Sequence, residues 1–246
     1  MKSVENLVKR LKESLAKINE DPKILQDCSG DEQTQKEYEE YRLVFNRKFH
    51  FRPSIIVFVQ NTDQVSEIVK FTNQFPQEVI LRLRSGGHDH EGECSGTDTL
   101  MMDFSKMDCV DITEDTVEID GETFTKISIE PGARFKHIKQ RLDHANLGIP
   151  HGTCETVAIA GFTMGGGWGP WTRRYGMACE SLTGVTLVLG DGQIVELSDQ
   201  DDPRSCNGRL LWALRGGGGM SYGVVTKLYF NAFTLPQEAF SFNIKF

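Results

Sequence analysis

Clustered glycines constrain this chain more than any other feature. Gly161, Gly165, Gly166, Gly167 and Gly169 fall close together, and Gly216-Gly217-Gly218-Gly219 follow Arg215 without a break. A shorter cluster lies in Arg84-Ser85-Gly86-Gly87-His88-Asp89-His90-Glu91-Gly92. Glycine loses more backbone entropy on folding than any other residue, so this density implies repeated sharp turns or a ligand lying against bare backbone. Two of the loops also carry a nucleophilic side chain. His88 is in the first, and Cys154 is in His151-Gly152-Thr153-Cys154-Glu155-Thr156-Val157, just before the long glycine run.

The segments between these loops alternate in period. Residues 3–19 place Val4, Leu7, Val8, Leu11, Leu15 and Ile18 at helical spacing, which predicts a helix docked on the main body. Its glutamates offset the lysines, which disfavours a membrane-surface role. Asp27 to Glu40 is polar and reads as a loop leading into a short helix. Ile55 to Val59 predicts a buried strand. Thr62 reads as the N-cap of a helix that turns Val65, Ile68 and Val69 inward. Val79 to Arg84 predicts a strand feeding the first glycine loop, and Leu100 to Phe104 predicts another. Thr116–Asp120 and Lys126–Glu130 read as strands, Arg134–Ala145 as a helix, and Gly184–Leu197 as a hairpin around Asp191-Gly192. Tyr222–Phe230 reads as a late strand. The expected organisation is a helical segment over 1–48, then 49–232 as two α+β subdomains, 49–108 and 109–232, with a cofactor cleft between them.

A net charge of −8 argues against a nucleic-acid partner, because phosphate backbones need clustered Lys and Arg. A dinucleotide is still permitted, since glycine turns can hold pyrophosphate through backbone N–H groups. No apolar run approaches the roughly 18 residues of a membrane span. The six cysteines are scattered without CxxC pairs, which favours reduced thiols and a cytoplasmic protein.

Each nucleophile has competing readings. A lone cysteine is usually a small core hydrophobe. His88, His90, His151 and Cys154 could in principle ligate zinc, but their spacing is not that of a common structural site. A Cys–His nucleophile pair lacks an assignable oxyanion site. The glycine run is not a Rossmann fingerprint, because no strand–GxGxxG–helix order surrounds it.

Taken together and in order, Arg84 to Gly92, Gly152-x-Cys154-x-x-Val157, Gly161, Gly165-Gly166-Gly167-x-Gly169, Tyr175 to Leu182 and Leu211 to Thr226 resemble the berberine bridge enzyme-like family of FAD-linked oxidases. That family lies within the vanillyl-alcohol oxidase superfamily. The resemblance covers about 50–232 and implies an α+β PCMH-type FAD-binding domain with the flavin between two subdomains. It implies FAD bonded twice, His88 to the 8α-methyl carbon and Cys154 to C6. It also implies cofactor contacts from Arg84, Ser85, Gly86, Gly87, Asp89, Gly92, Val157, Gly161, Gly165, Gly166, Gly167, Gly169, Tyr175, Gly176, Val185 and Val225. Val157 is where the family gates oxygen access, and valine resembles the oxidase members.

Two departures accompany the resemblance. The family's usual Asp-Asn is Glu180-Ser181 here, and its glycine before the second loop is Ala158. The family also continues into a substrate domain that carries the acid/base residues, whereas residues 233–246 only begin one, with Ala239–Phe246 reading as its first strand. The resemblance therefore implies the FAD-binding half of an oxidase that takes hydride from a sugar or secondary metabolite to flavin N5 and returns electrons to O2. A second polypeptide would supply the substrate domain and the base. A non-catalytic flavoprotein scaffold or electron-transfer subunit is the alternative.

Overall fold

The computed structural model describes residues 2–27, 30–219 and 221–238, so the strand expected over 239–246 lies outside the described residues. The chain opens with α1 (Lys2–Ala16), which buries Val8, Leu11 and Leu15. The helix stops earlier than the apolar spacing suggests. Asn19 takes φ +57°, and the Glu20 N–H turns back to the Leu15 carbonyl at 3.2 Å, a left-handed helix ending. Next come β1 (Ile24–Gln26), too short to register as a period, and α2 (Glu32–Tyr41). The short helix expected at the end of the polar stretch therefore forms, and it takes up most of that stretch. Asp31 caps it by accepting the Thr34 N–H at 2.8 Å, and buried Tyr38 anchors it by donating to the Pro53 carbonyl at 2.9 Å.

The first sheet is completed by β2 (Ile55–Phe58), β3 (Leu81–Arg84) and β4 (Leu100–Asp103), with α3 (Thr62–Asn73) between β2 and β3. The order is β1-β2-β4-β3, with β4 parallel to both neighbours and β1 antiparallel to β2. All of β2 and β4 is buried, as a parallel strand covered on both faces requires. α1 and α3 pack on one face; Leu25, Tyr38, Ile56, Phe58 and Met101 form a second cluster. Two expectations are corrected here. The N-cap of α3 is Asn61, whose side chain accepts the Gln64 N–H at 2.9 Å; the Thr62 hydroxyl instead bonds the Thr226 hydroxyl at 3.0 Å. β3 begins at Leu81, because the Val79 N–H is held in a turn by the Phe75 carbonyl.

The second sheet is built from β5 (Val110–Ile119), β6 (Glu122–Ile129), β7 (Leu147–Gly148), β8 (Leu182–Val188), β9 (Ile194–Ser198) and β10 (Val224–Thr234). Its order is β5-β6-β10-β8-β9, with β7 also paired to β10. Four helices intervene: α4 (Phe135–Asp143), α5 (Ile159–Met164), α6 (Thr172–Tyr175) and α7 (Cys206–Leu214). β5 and β6 are longer than their sequence suggested and meet at Asp120-Gly121, where both φ values are positive, +51° and +79°. That is the primed turn that suits strand twist. The expected hairpin at Asp191-Gly192 forms, but its corner is wider. Gly192 N–H bonds the Leu189 carbonyl at 2.9 Å and Gly192 takes φ +84°, giving a bulged turn. β10 starts at Val224, after Gly223 at φ +143°, and runs on to Thr234 as the central strand.

The two sheets are joined side by side. Val188 and Val224 of the second sheet enter the core of the first, and Ser66 of α3 donates to the Gly192 carbonyl at 2.6 Å. At the ends of β3 and β4 the first sheet also contains a buried ion pair. Arg84 Nε donates to Asp103 Oδ2 at 2.5 Å, the side chains being 7% and 2% exposed. The guanidinium also donates to the carbonyls of Tyr41 and Leu43. Asp103→Ala strands that charge without its carboxylate. It should cost about 3–5 kcal/mol, read as a lower urea midpoint. Among the described residues no helix is long and apolar enough to cross a membrane.

Candidate functional site

The three glycine clusters converge on one cleft of about 970 Å³. The loop after β3 supplies Ser85 to Asp89 as one wall. The opposite wall runs from Val157 through α5, with Gly161, Gly165, Gly167 and the exposed Trp168, and the third cluster adds Gly219, Gly223 and Val225. Each glycine is required for its own reason. A Cβ on Gly86 would lie 2.7 Å from the Ala158 nitrogen, so this glycine lets the first two loops cross. Gly87 takes φ +74°, which favours glycine whatever the space. At Gly161 a Cβ meets no atom of the described residues within 4 Å beyond its own helix backbone, although the residue lines the cleft. Bare backbone facing open space is what a closely approaching ligand needs.

Hydrogen bonding supports the same reading. Among the described residues no acceptor takes the N–H of Gly86, Gly87 or His88. Successive free N–H groups of this kind form an anion nest. Asp89 does not compete for them, because its carboxylate accepts the N–H groups of Glu91 and Glu93 at 3.1 and 2.8 Å and closes its own loop. The Ser85 hydroxyl is spent on the Pro131 carbonyl.

The two predicted nucleophiles come together beside the cleft: His88 lines it, whereas Cys154 and Thr156 stand off its wall. His88 Nε2 lies 2.9 Å from Thr156 Oγ1, and Cys154 Sγ lies 3.4 Å from the same oxygen. Phe45 stacks on the imidazole at 4.2 Å, and its N–H donates to the Gly87 carbonyl at 2.9 Å. Burial, and then the nearby positive charges of Arg134 and His90, hold His88 below the usual imidazole range, which favours its neutral form. The Thr156 hydroxyl, and then its backbone N–H, pull the exposed Cys154 thiol below its usual range against the opposing charge of Glu155. A neutral imidazole beside a thiolate is the protonation state in which both act as nucleophiles.

The zinc alternative does not assemble. His151 is fully engaged: Nδ1 bonds the Gly152 carbonyl at 2.7 Å and Nε2 accepts the Trp171 indole N–H at 3.2 Å. Among the described residues no three His, Cys, Asp or Glu side chains could hold a metal ion.

Several predicted contact residues stand off the cleft wall. Arg84 is the buried anchor described above. Gly92, at φ +76°, closes the first loop against Phe49 and Phe51. Gly166, at φ +104°, turns the long run behind the wall, and a Cβ on Gly169 would lie 1.8 Å from the His151 oxygen, so it locks that run to the second loop. Tyr175 stacks on Phe233 at 3.6 Å, next to Gly176 at φ +78°. Val185 is a fully buried core residue of β8. Sequence reasoning missed Phe45 and Thr156, which orient the nucleophiles. It also missed Phe104, Pro131 and Trp168, which line the cleft. Trp168 carried a usable signal, standing inside the glycine run.

The profile of the FAD binding domain family matches residues 53–198. This chain belongs to the FAD binding domain family. A glucooligosaccharide oxidase of Sarocladium strictum is 30% identical over 196 residues, covering 78% of this chain and 36% of the relative. An FAD-linked oxidoreductase of Bacillus subtilis, itself uncharacterized, is 30% identical over 206 residues, covering 82% of this chain and 42% of the relative. Among solved structures, the glucooligosaccharide oxidase of Acremonium strictum with 6-S-cysteinyl, 8α-N1-histidyl FAD matches with TM-score 0.76 and 26% identity, over 92% of this chain and 43% of that one. A berberine bridge enzyme-like protein of Physcomitrella patens matches with TM-score 0.75 and 28% identity, over 91% of this chain and 44% of that one. The FAD binding domain here therefore has the mixed α+β, PCMH-type fold of these oxidases and spans less than half their length.

Proposed function

We propose that this chain is the FAD-binding half of a flavin-dependent oxidase, that it bonds FAD through both His88 and Cys154, and that the complete enzyme oxidises a sugar or oligosaccharide. One observation carries the reading: His88, on the wall of a cleft lined with bare glycine backbone, and Cys154 beside it reach the same Thr156 hydroxyl. The residues fit the group. Free N–H groups at Gly86 to His88 suit the pyrophosphate, and the open backbone at Gly161 leaves room for the dinucleotide. When bound, the flavin supplies hydride acceptance at N5 and electron return to O2.

The chain's own residues then have distinct tasks. His88 and Cys154 tether the ring edge. Val157 is held on the wall by its carbonyl bond from the Phe135 N–H at 2.9 Å and presents a small apolar side chain where oxygen approaches. Residues 49–232 form the cofactor domain, and 233–246 lead into a substrate-covering domain that supplies the base. A separate second polypeptide for that domain gains no support from the relatives, in which the matched region is 36–42% of one chain. We therefore place the cover domain in the same polypeptide as this half. The free thiols at Cys94, Cys109, Cys154, Cys179 and Cys206 accord with a reducing compartment.

The test is flavin reoxidation. The reduced flavin of the loaded protein should be reoxidised rapidly by air. Val157→Leu should slow this by on the order of tenfold, equivalent to about 1.4 kcal/mol of barrier. An unchanged rate would remove the oxygen-access role. A flavin that oligosaccharides leave oxidised in the complete polypeptide would remove the sugar-oxidase reading.

A further inference from the structure

We infer that the Thr156 hydroxyl couples the two attachment residues, so that ionisation of Cys154 and the Nε2–H tautomer of His88 arise together. This deepens the attachment reading and takes its purpose from it.

The argument is one of proton supply. A hydroxyl has one hydrogen to donate and two lone pairs to accept with, and here it faces two titratable partners. While Cys154 is a thiol, the S–H donates to Oγ1 and the hydroxyl donates onward to Nε2. The imidazole proton then sits on Nδ1, which is blocked as a nucleophile. When the thiol proton leaves to solvent, the hydroxyl hydrogen turns toward the thiolate. Nε2 must then donate to Oγ1, the ring proton moves to Nε2 by exchange with water, and Nδ1 is left with a free lone pair. One proton is lost overall, and both nucleophiles are armed by the same event.

The surroundings suit such a switch. Phe45 stacks on the ring within 23° of parallel and is tied to Gly87, which limits ring rotation. Among the described residues Nδ1 has no hydrogen-bond partner. The charges that bear on the pair are Arg134 at the start of α4 and His90 in the first loop for His88, and Glu155 for Cys154. Among the described residues no carboxylate bonds the imidazole, so tautomer choice falls to Thr156.

The test uses the 246-residue chain prepared free of flavin. Iodoacetamide alkylation of Cys154 is followed across pH by peptide mass mapping, with exposed Cys206 as internal reference, and the His88 tautomer is read from ¹⁵N imidazole shifts. In the unaltered chain the tautomer change should track the Cys154 midpoint. Thr156→Val, which keeps the shape and removes the hydroxyl, should slow alkylation near neutral pH by roughly tenfold as the midpoint rises toward that of an ordinary thiol. It should also abolish the linked ¹⁵N change. Thr156→Ser should restore both. In Cys154→Ala the ¹⁵N step should disappear, which keeps the test open if the valine variant misfolds. A wild-type profile in Thr156→Val, a serine variant that behaves like valine, or a ¹⁵N step that persists in Cys154→Ala would each overturn the coupling. Acid-stable flavin is a separate readout, so the coupling can fail in a chain that still bonds FAD.

Discussion

Gly161→Leu should fold as well as the unaltered chain and hold almost no flavin. Gly161 sits in α5, where glycine is roughly 1 kcal/mol worse than a good helix former, so leucine should leave stability unchanged or slightly raised. Among the described residues no atom outside its own helix backbone lies within 4 Å of the new Cβ, so the side chain starts out into the open cleft. Its side chain instead enters the volume assigned to the dinucleotide. FAD retention should fall by about 100-fold, equivalent to about 2.8 kcal/mol of binding. The flavin-to-protein absorbance ratio and a thermal melt of the same sample read the two effects separately. A yellow, fully loaded Gly161→Leu protein would mean that the cofactor lies elsewhere.

The second large effect concerns the tethers. His88→Ala should leave flavin bonded through Cys154 alone, and Cys154→Ala should leave it bonded through His88 alone but more slowly, because without a thiolate the ring keeps its proton on Nδ1; in each variant the attached flavin should survive acid precipitation. The double variant should release all its flavin on precipitation. His88 is partly exposed and Cys154 exposed, so none of these changes opens a core cavity, and the variants should remain folded. Their absorption spectra should also differ, because a thioether and an imidazole act on different carbons of the ring. Loss of all covalent flavin from either folded single variant would make one attachment a precondition for the other.

What the sequence could reveal depended on range. β2, the Asp191-Gly192 hairpin and α4 were legible because their signals are local: a buried apolar run, a turn dipeptide and an apolar face at Phe135, Ile138 and Leu142. β5 was half missed because Val110–Ile119 is mostly exposed and its charged residues carry no apolar alternation. The Asp120-Gly121 turn that joins it to β6 was overlooked because the strand read over Thr116–Asp120 ran into it and the next was begun only at Lys126, four residues late. The cap at Asn61 against Thr62 is a choice between adjacent good cappers, settled when Thr62 was drawn to Thr226 across the sheet joint.

The candidate site was legible as a list of residues and illegible as a geometry. His88 and Cys154 stood out through their glycine-rich surroundings. Thr156 did not, because its role depends on Gly86 letting the two loops cross at Ala158. Phe45 gave no signal of its own, being one of several aromatics between Tyr41 and Phe51. Arg84 misled for the opposite reason. Its place in a glycine motif suggested ligand contact, whereas burial beside Asp103 makes it the support of that motif.

The central claim is that FAD is covalently held by this half. Acid precipitation of the purified protein, followed by intact mass of the chain, tests it most directly. The account predicts a yellow pellet and a chain heavier by one FAD. A colourless pellet under a yellow supernatant, with the mass of the bare chain, would contradict it and reduce His88 and Cys154 to residues of a non-covalent pocket.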